Sequence, residues 1–140
     1  MRIMGLDLGK KRIGVAISDE SGLTAQPLTQ LERSSAEKTM EALLEIAAEW
    51  SVGRVVVGVP YNMDGSTGAQ AKGALKFAEK LRERGSLEVD IWDERLSTVA
   101  VTRVLISGDV SRSRRKGVTD KLAAAYILQG YLDGKKESPS

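Results

Sequence analysis

Short apolar runs punctuated by turn residues open the chain. Residues 2 to 8 (RIMGLDL) and 12 to 18 (RIGVAIS) flank Gly9-Lys10-Lys11, a spacing that predicts two strands joined by a tight turn. A third strand is predicted over 23 to 31 (LTAQPLTQL), at a sheet edge, because Pro27 has no N–H to give to a central ladder. Ser34 and Glu37 then have the spacing of a capping box. Met40, Leu43, Leu44 and Ala47 follow at the i, i+3, i+4, i+7 interval of an amphipathic helix. Arg54 to Val59 is apolar after its first residue, as suits a parallel strand covered on both faces. Ala74, Phe77, Ala78 and Leu81 restore the helical interval, and Gly85 is placed to stop it. Leu87 to Trp92 reads as a strand, and Ser97 or Thr98 as the cap of a short helix reaching about Ser107. Residues 108 to 117 (GDVSRSRRKG) are polar, basic and bounded by glycine, which predicts a loop. A last helix is expected from about Val118 to Leu132.

The order βββαβαβαα implies a mixed five-stranded sheet flanked by helices. It is antiparallel in its opening hairpin and parallel among the strands that start near residues 2, 54 and 87. One domain is expected over residues 1–134, with a disordered tail at 135–140. In such sheets a site lies beyond the carboxyl ends of the parallel strands, which directs attention to the acidic residues there.

Asp7 stands between Leu6 and Leu8 near the end of the first strand, where a carboxylate is partly desolvated and costly unless paired; its ordinary alternative is to start the turn at Gly9. Asp120 heads the stripe Ala124, Ile127, Tyr131 on the side of the last helix that should meet the sheet. An acid interacting with the helix dipole explains its place near the helix start but not its face. Asp93 and Glu94 end the strand LEVDIW. Alternation groups Asp93 with Val89 and Ile91, and Glu94 with Trp92, so periodicity alone prefers Asp93 as the inward acid. Either acid can also simply pair with Arg95.

Composition narrows the chemistry. Cysteine and histidine are absent, which excludes disulfides, thiolate nucleophiles, Cys/His zinc sites and a histidine base. Three gathered carboxylates repel one another unless a cation lies between them, and an all-oxygen set suits Mg²⁺ or Mn²⁺. One or two such ions activate water and stabilise a leaving oxygen in phosphodiester hydrolysis. The formal charge of +2 is too small to argue for nucleic acid by itself. The longest apolar runs are about seven residues, far short of the roughly 20 that span a bilayer. A soluble, cytoplasmic protein with no membrane partner is expected.

Four ordered segments, DLGKKRIGVAISD (7 to 19), VVGVPYNMDGSTG (56 to 68), DERLST (93 to 98) and TDKLAAAYILQGYL (119 to 132), resemble the YqgF/RuvX family across nearly the whole chain. Members of that family are named for pre-16S rRNA cleavage or for Holliday junction resolution. The resemblance implies an RNase H-like fold in which Asp7, Glu94 and Asp120 are the metal-binding catalytic set, choosing Glu94 where alternation chose Asp93. It implies a metal-dependent nuclease, acting in pre-16S rRNA 5′-end processing, with RNA and ribosomal precursor particles as partners. A Holliday junction resolvase on branched DNA and a non-catalytic RNA- or ribosome-binding module are the alternatives. An actin- or sugar-kinase-like ATPase needs a second domain for which 140 residues leave no room.

Substrate-facing candidates surround these acids. Lys10, Lys11 and Arg12 occupy the first turn, and Arg112, Arg114, Arg115, Lys116 and Lys121 flank Asp120. Gathered at one rim they attract phosphate; taken singly each is an ordinary solvated cation. Arg95 adjoins Glu94. The loop from Pro60 to Gly68 precedes a helix N-terminus, where free amides favour an anion, and offers Asn62, Ser66 and Thr67 as hydrogen-bonding groups or as plain turn and cap residues. With one Phe, two Trp and three Tyr there is little for an extended base-stacking platform.

Overall fold

The computed structural model describes residues 1–96 and 112–137, with 112–121 and 135–137 described by their backbone alone. Strands β1 (Arg2–Leu8), β2 (Arg12–Ser18) and β3 (Ala25–Glu32) come first, followed by helix α1 (Ala36–Glu49) and strand β4 (Val52–Val59). Helix α2 (Ala69–Glu83), strand β5 (Glu88–Asp93), a 3-10 turn (Glu94–Leu96) and helix α3 (Arg112–Glu137) complete the order. The expected helix over 97–107 lies outside the described residues.

The sheet runs β3-β2-β1-β4-β5. β2 is antiparallel to β1 and β3, whereas β4 lies parallel to both β1 and β5. Pro27 is on an edge strand, as its missing donor requires.

Side chains alternate across the pleat, and both faces are covered. Met4, Leu6, Val55, Val57, Val59 and Val89 point to one side, where Met40, Leu43 and Ala47 of α1 and Ala74, Phe77 and Leu81 of α2 bury them. Ala16 and Val56 point to the other side and pack with Ala124, Ile127, Leu128 and Tyr131 of α3. Helix α3 lies close to the sheet because glycines leave it room. A Cβ on Gly5 would stand 2.7 Å from Leu128 Cβ and 3.1 Å from the Ala124 carbonyl oxygen.

Three sequence expectations need correction. Ser35, not Ser34, caps α1, its hydroxyl accepting from the Lys38 amide at 3.2 Å. Glu37 is drawn away from any capping box to an ion pair with Arg84, 2.6 Å distant. Helix α3 is described from Arg112, so residues 112–117 of the stretch read as a loop are helical, and residues 108–111 lie outside the described residues. Arg and Lys are good helix formers that carry no apolar period to announce them. The same helix continues to Glu137, past its expected end near Leu132, so residues 135–137 of the expected tail are helical.

Candidate active site

The site is built where β1, β4 and β5 end together. Alternation puts Leu6 on the α1/α2 side, and Asp7 on the α3 side with Gly5. At the end of β5 the 3-10 turn begins at Glu94, which faces the α3 side as Trp92 does. Between them, at the end of β4, stands Gly58. A Cβ there would lie 2.5 Å from Ile127 Cδ1 and 3.3 Å from Glu94 Cγ, so the absent side chain is what lets Glu94 lean across the sheet end.

Asp7 and Glu94 border one cavity of about 190 Å³, together with Leu8, Gly9, Gly58, Pro60 and Gln70. Each carboxylate is only 6% exposed, a placement that costs heavily unless charge or hydrogen bonds compensate. Among the described residues no group of three or more acidic side chains converges. The side chain of Asp120 lies outside the described residues. Its backbone position is on α3, one turn before Ala124, whose carbonyl lies over Gly5. A turn of helix rises about 5.4 Å, and two residues of strand span about 6.8 Å, so position 120 and Asp7 fall at the same end of the sheet.

Asp93 belongs to the other face. Its carboxylate takes Arg95 in a bidentate pair, with Nη2 2.7 Å from Oδ2, and these hydrogen bonds hold its pKa below the ordinary 3.8 against the opposing effect of burial. Alternation therefore sorts the two acids correctly by face. The inference that inward means the Val89 side fails because α3 gives the sheet a second inside, and Asp7 shares it.

The substrate-facing candidates divide. Lys10 and Lys11 are exposed in the β1–β2 turn, and Arg12 is half-buried at the start of β2. The turn is closed by the Gly9 amide on the Arg12 carbonyl at 2.9 Å. Arg33, not anticipated, joins this rim: its Nη1 donates to the Gly9 carbonyl at 2.9 Å, and its amide to that of Lys11 at 2.8 Å. Only antiparallel pairing, which sets Arg12 opposite Glu32, could have signalled it. The side chains of Arg112, Arg114, Arg115, Lys116 and Lys121 lie outside the described residues.

In the Pro60–Gly68 loop, Asn62 Nδ2 donates to Ser66 Oγ at 2.9 Å, and the Ser66 hydroxyl and amide both donate to Asp64 Oδ1. The two Ser66 bonds depress the Asp64 pKa, and together with the Asn62 bond they close the loop on itself. Thr67 is half-buried. Gln70 and Gly58 line the cavity without having been singled out; only their places after the loop and at the strand end could have suggested them.

A family model described as "RuvX: Holliday junction resolvase" matches residues 1–134. A protein of Desulforamulus reducens named "Putative pre-16S rRNA nuclease" is 56% identical over 133 residues, covering 95% of this chain and 97% of its own length. A protein of Myxococcus xanthus with the same name is 53% identical over 136 residues, covering 97% of this chain and 90% of its own. Among solved structures, Thermus thermophilus RuvC in complex with a Holliday junction substrate matches with a TM-score of 0.59 at 16% identity, over 100% of this chain and 99% of that one. The fowlpox virus resolvase with Holliday junction DNA matches at 0.55 and 10% identity, over 96% and 99%. At such identities the likeness is one of fold, and that fold is RNase H-like.

Proposed function

The chain belongs to the RuvX family, and on that footing we propose that it is a divalent-metal-dependent nuclease that hydrolyses phosphodiester bonds in pre-16S rRNA 5′-end processing. One arrangement supports this reading above the others: two buried carboxylates, from the ends of two parallel strands, border a single cavity beneath the helix that bears a third. Residues 1–134 act as one nuclease domain, the span that the family model matches.

The donor set fits Mg²⁺ or Mn²⁺, since carboxylate oxygens beside a backbone bared by Gly9 and Gly58 are the hard ligands these ions prefer. When bound, the ion supplies Lewis-acid charge for water activation and for the leaving oxygen. Asp7 would hold it from the end of β1 and Glu94 from the 3-10 turn after β5, and Asp120 would complete the set from α3. Lys10, Lys11, Arg12 and Arg33 draw the phosphate backbone toward the cavity through Gly9, with Arg114, Arg115 and Lys116 at the helix end opposite. Ribosomal precursor particles are the partner this reading names, and the cytoplasm the compartment. Among the described residues no helix is long and apolar enough to cross a membrane.

The family's own description favours a second substrate, branched DNA. Matched pre-16S rRNA, single-stranded DNA and four-way-junction substrates, each with Mg²⁺ or Mn²⁺, decide between them. Asp7→Asn keeps the size and removes the charge, so cleavage falls by orders of magnitude while nucleic-acid binding persists. Normal cleavage by this variant removes Asp7 from the metal site. Binding without cleavage by the wild type makes the chain a non-catalytic module.

A further inference from the structure

Arg95 stands next to Glu94, yet its guanidinium is turned onto its own chain. Nε lies 3.1 Å from both Asp93 oxygens and Nη2 2.7 Å from Oδ2, while the Arg95 amide donates to Asp93 Oδ1 at 2.9 Å. The guanidinium also lies over the Tyr61 ring, 5.7 Å from its centroid. Nη1 comes within 3.4 Å of where a Cβ on Gly65 would stand.

These contacts have a consequence for the cavity. Asp93 and Arg95 straddle Glu94, so the closed ring of bonds between them pins the backbone that carries it. Tyr61 follows Pro60, which lines the same cavity as Glu94. The guanidinium thereby ties the end of β5 to the loop after β4, joining two walls of one site. An ion pair this accessible, with side chains 34% and 18% exposed, adds little to global stability. Its effect lies in geometry, because displacing a reacting group by about 1 Å costs on the order of 100-fold in rate.

We propose that Arg95 is a positioning residue, latched to Asp93 and Tyr61 so as to hold Glu94 at the cavity, and not a contact to the nucleic-acid backbone. The proposal rests on the nuclease reading, in which Glu94 is a metal-binding carboxylate.

The test compares R95A, D93N and the double variant with E94Q, using the substrate that the wild type cleaves. Single-turnover rates at saturating substrate are measured with Mg²⁺, filter binding without divalent metal across a salt series, and circular dichroism for the fold. A latch predicts that R95A and D93N each slow cleavage by roughly 10- to 100-fold and that the double variant is no slower, because both break one unit. Affinity and its salt dependence stay at wild-type values. Weaker binding by R95A, with the salt slope reduced by about 0.7 to 0.9, identifies a phosphate contact and overturns the proposal. So do multiplying losses in the double variant, or an R95A that cleaves normally while E94Q is inactive. E94Q cleaving at the wild-type rate removes Glu94 from the metal site and overturns the positioning role with it, whereas a wild type that cleaves none of the substrates overturns the nuclease reading itself. If R95A fails to fold, D93N and Y61L carry the same comparison.

Discussion

Asp93 and Glu94, adjacent in the chain, answer to different neighbours, and the Asp93–Arg95 pair should respond to acid. The Asp93 carboxyl is held below its ordinary 3.8 chiefly by the side-chain hydrogen bonds of Arg95, and Asp19 is lowered likewise by the amides of Thr24 and Leu23. A depressed folded pKa contributes stability that is present in full above the unfolded value and is lost as pH falls through the folded one. The melting temperature of D93N should therefore trail the wild type by a small, constant margin above about pH 5, in keeping with so accessible a pair, and the margin should close as the wild-type carboxylate protonates below about 3.8. Thermal melts of both proteins between pH 2 and 7, set as about the usable range, check this; a margin that widens toward acid contradicts the Arg95 pair. At this scale the sequence was legible in part. Asp7 betrayed itself as a charge in an apolar run, and alternation separated the two acids by face. Gly58 and Gln70 carry no chemistry of their own, so nothing marked them until the fold brought them to the cavity.

Helix α3 reaches the sheet through two glycines, and the obstacles facing a side chain at each differ in kind. At Gly5 a new Cβ meets Leu128 Cβ at 2.7 Å and the Ala124 carbonyl at 3.1 Å, neither of which moves without the helix. At Gly58 the first obstacle is the Ile127 Cδ1 tip, 2.5 Å away in a fully buried side chain, with Glu94 Cγ next at 3.3 Å. Gly5→Ala should destabilise by about 2–3 kcal/mol and Gly58→Ala by about 1–2, within the usual range for overpacking. Cleavage should fall further in Gly58→Ala than its stability loss explains, because that Cβ presses on Glu94. Urea denaturation alongside single-turnover rates separates the two effects, and equal stability with equal rates would contradict the close approach. Element by element, apolar periods disclosed the strands, α1 and α2. They missed the start of α3 because Arg112 to Lys116 bear no such period, and they chose the wrong serine for α1 because the Glu37–Arg84 pair is a tertiary contact.

For the whole molecule, charge placement matters more than net charge. A chain at +2 places Lys10, Lys11, Arg12 and Arg33 around the β1–β2 turn, whose Gly9 lines the cavity, and carries Arg114, Arg115 and Lys116 in the first turns of α3. Replacing Arg114, Arg115 and Lys116 with Gln should weaken nucleic-acid binding and lower its salt slope by up to about 2 to 3, at roughly 0.7 to 0.9 per phosphate contact. The melting temperature should scarcely change; an unaltered slope in a salt titration would mark these residues as solvated bystanders. The two tryptophans fall on opposite sides of the sheet. Trp50 packs against the α1/α2 core with the Arg2 guanidinium 5.5 Å from its ring, and Trp92 lies in the α3 layer, edge-on to Tyr131 with centroids 6.2 Å apart. With either one replaced by Phe, the emission colour of the other follows the docking of a single layer. A heating ramp watched at those wavelengths then reveals whether the helix carrying the third carboxylate lifts away before the rest of the fold melts.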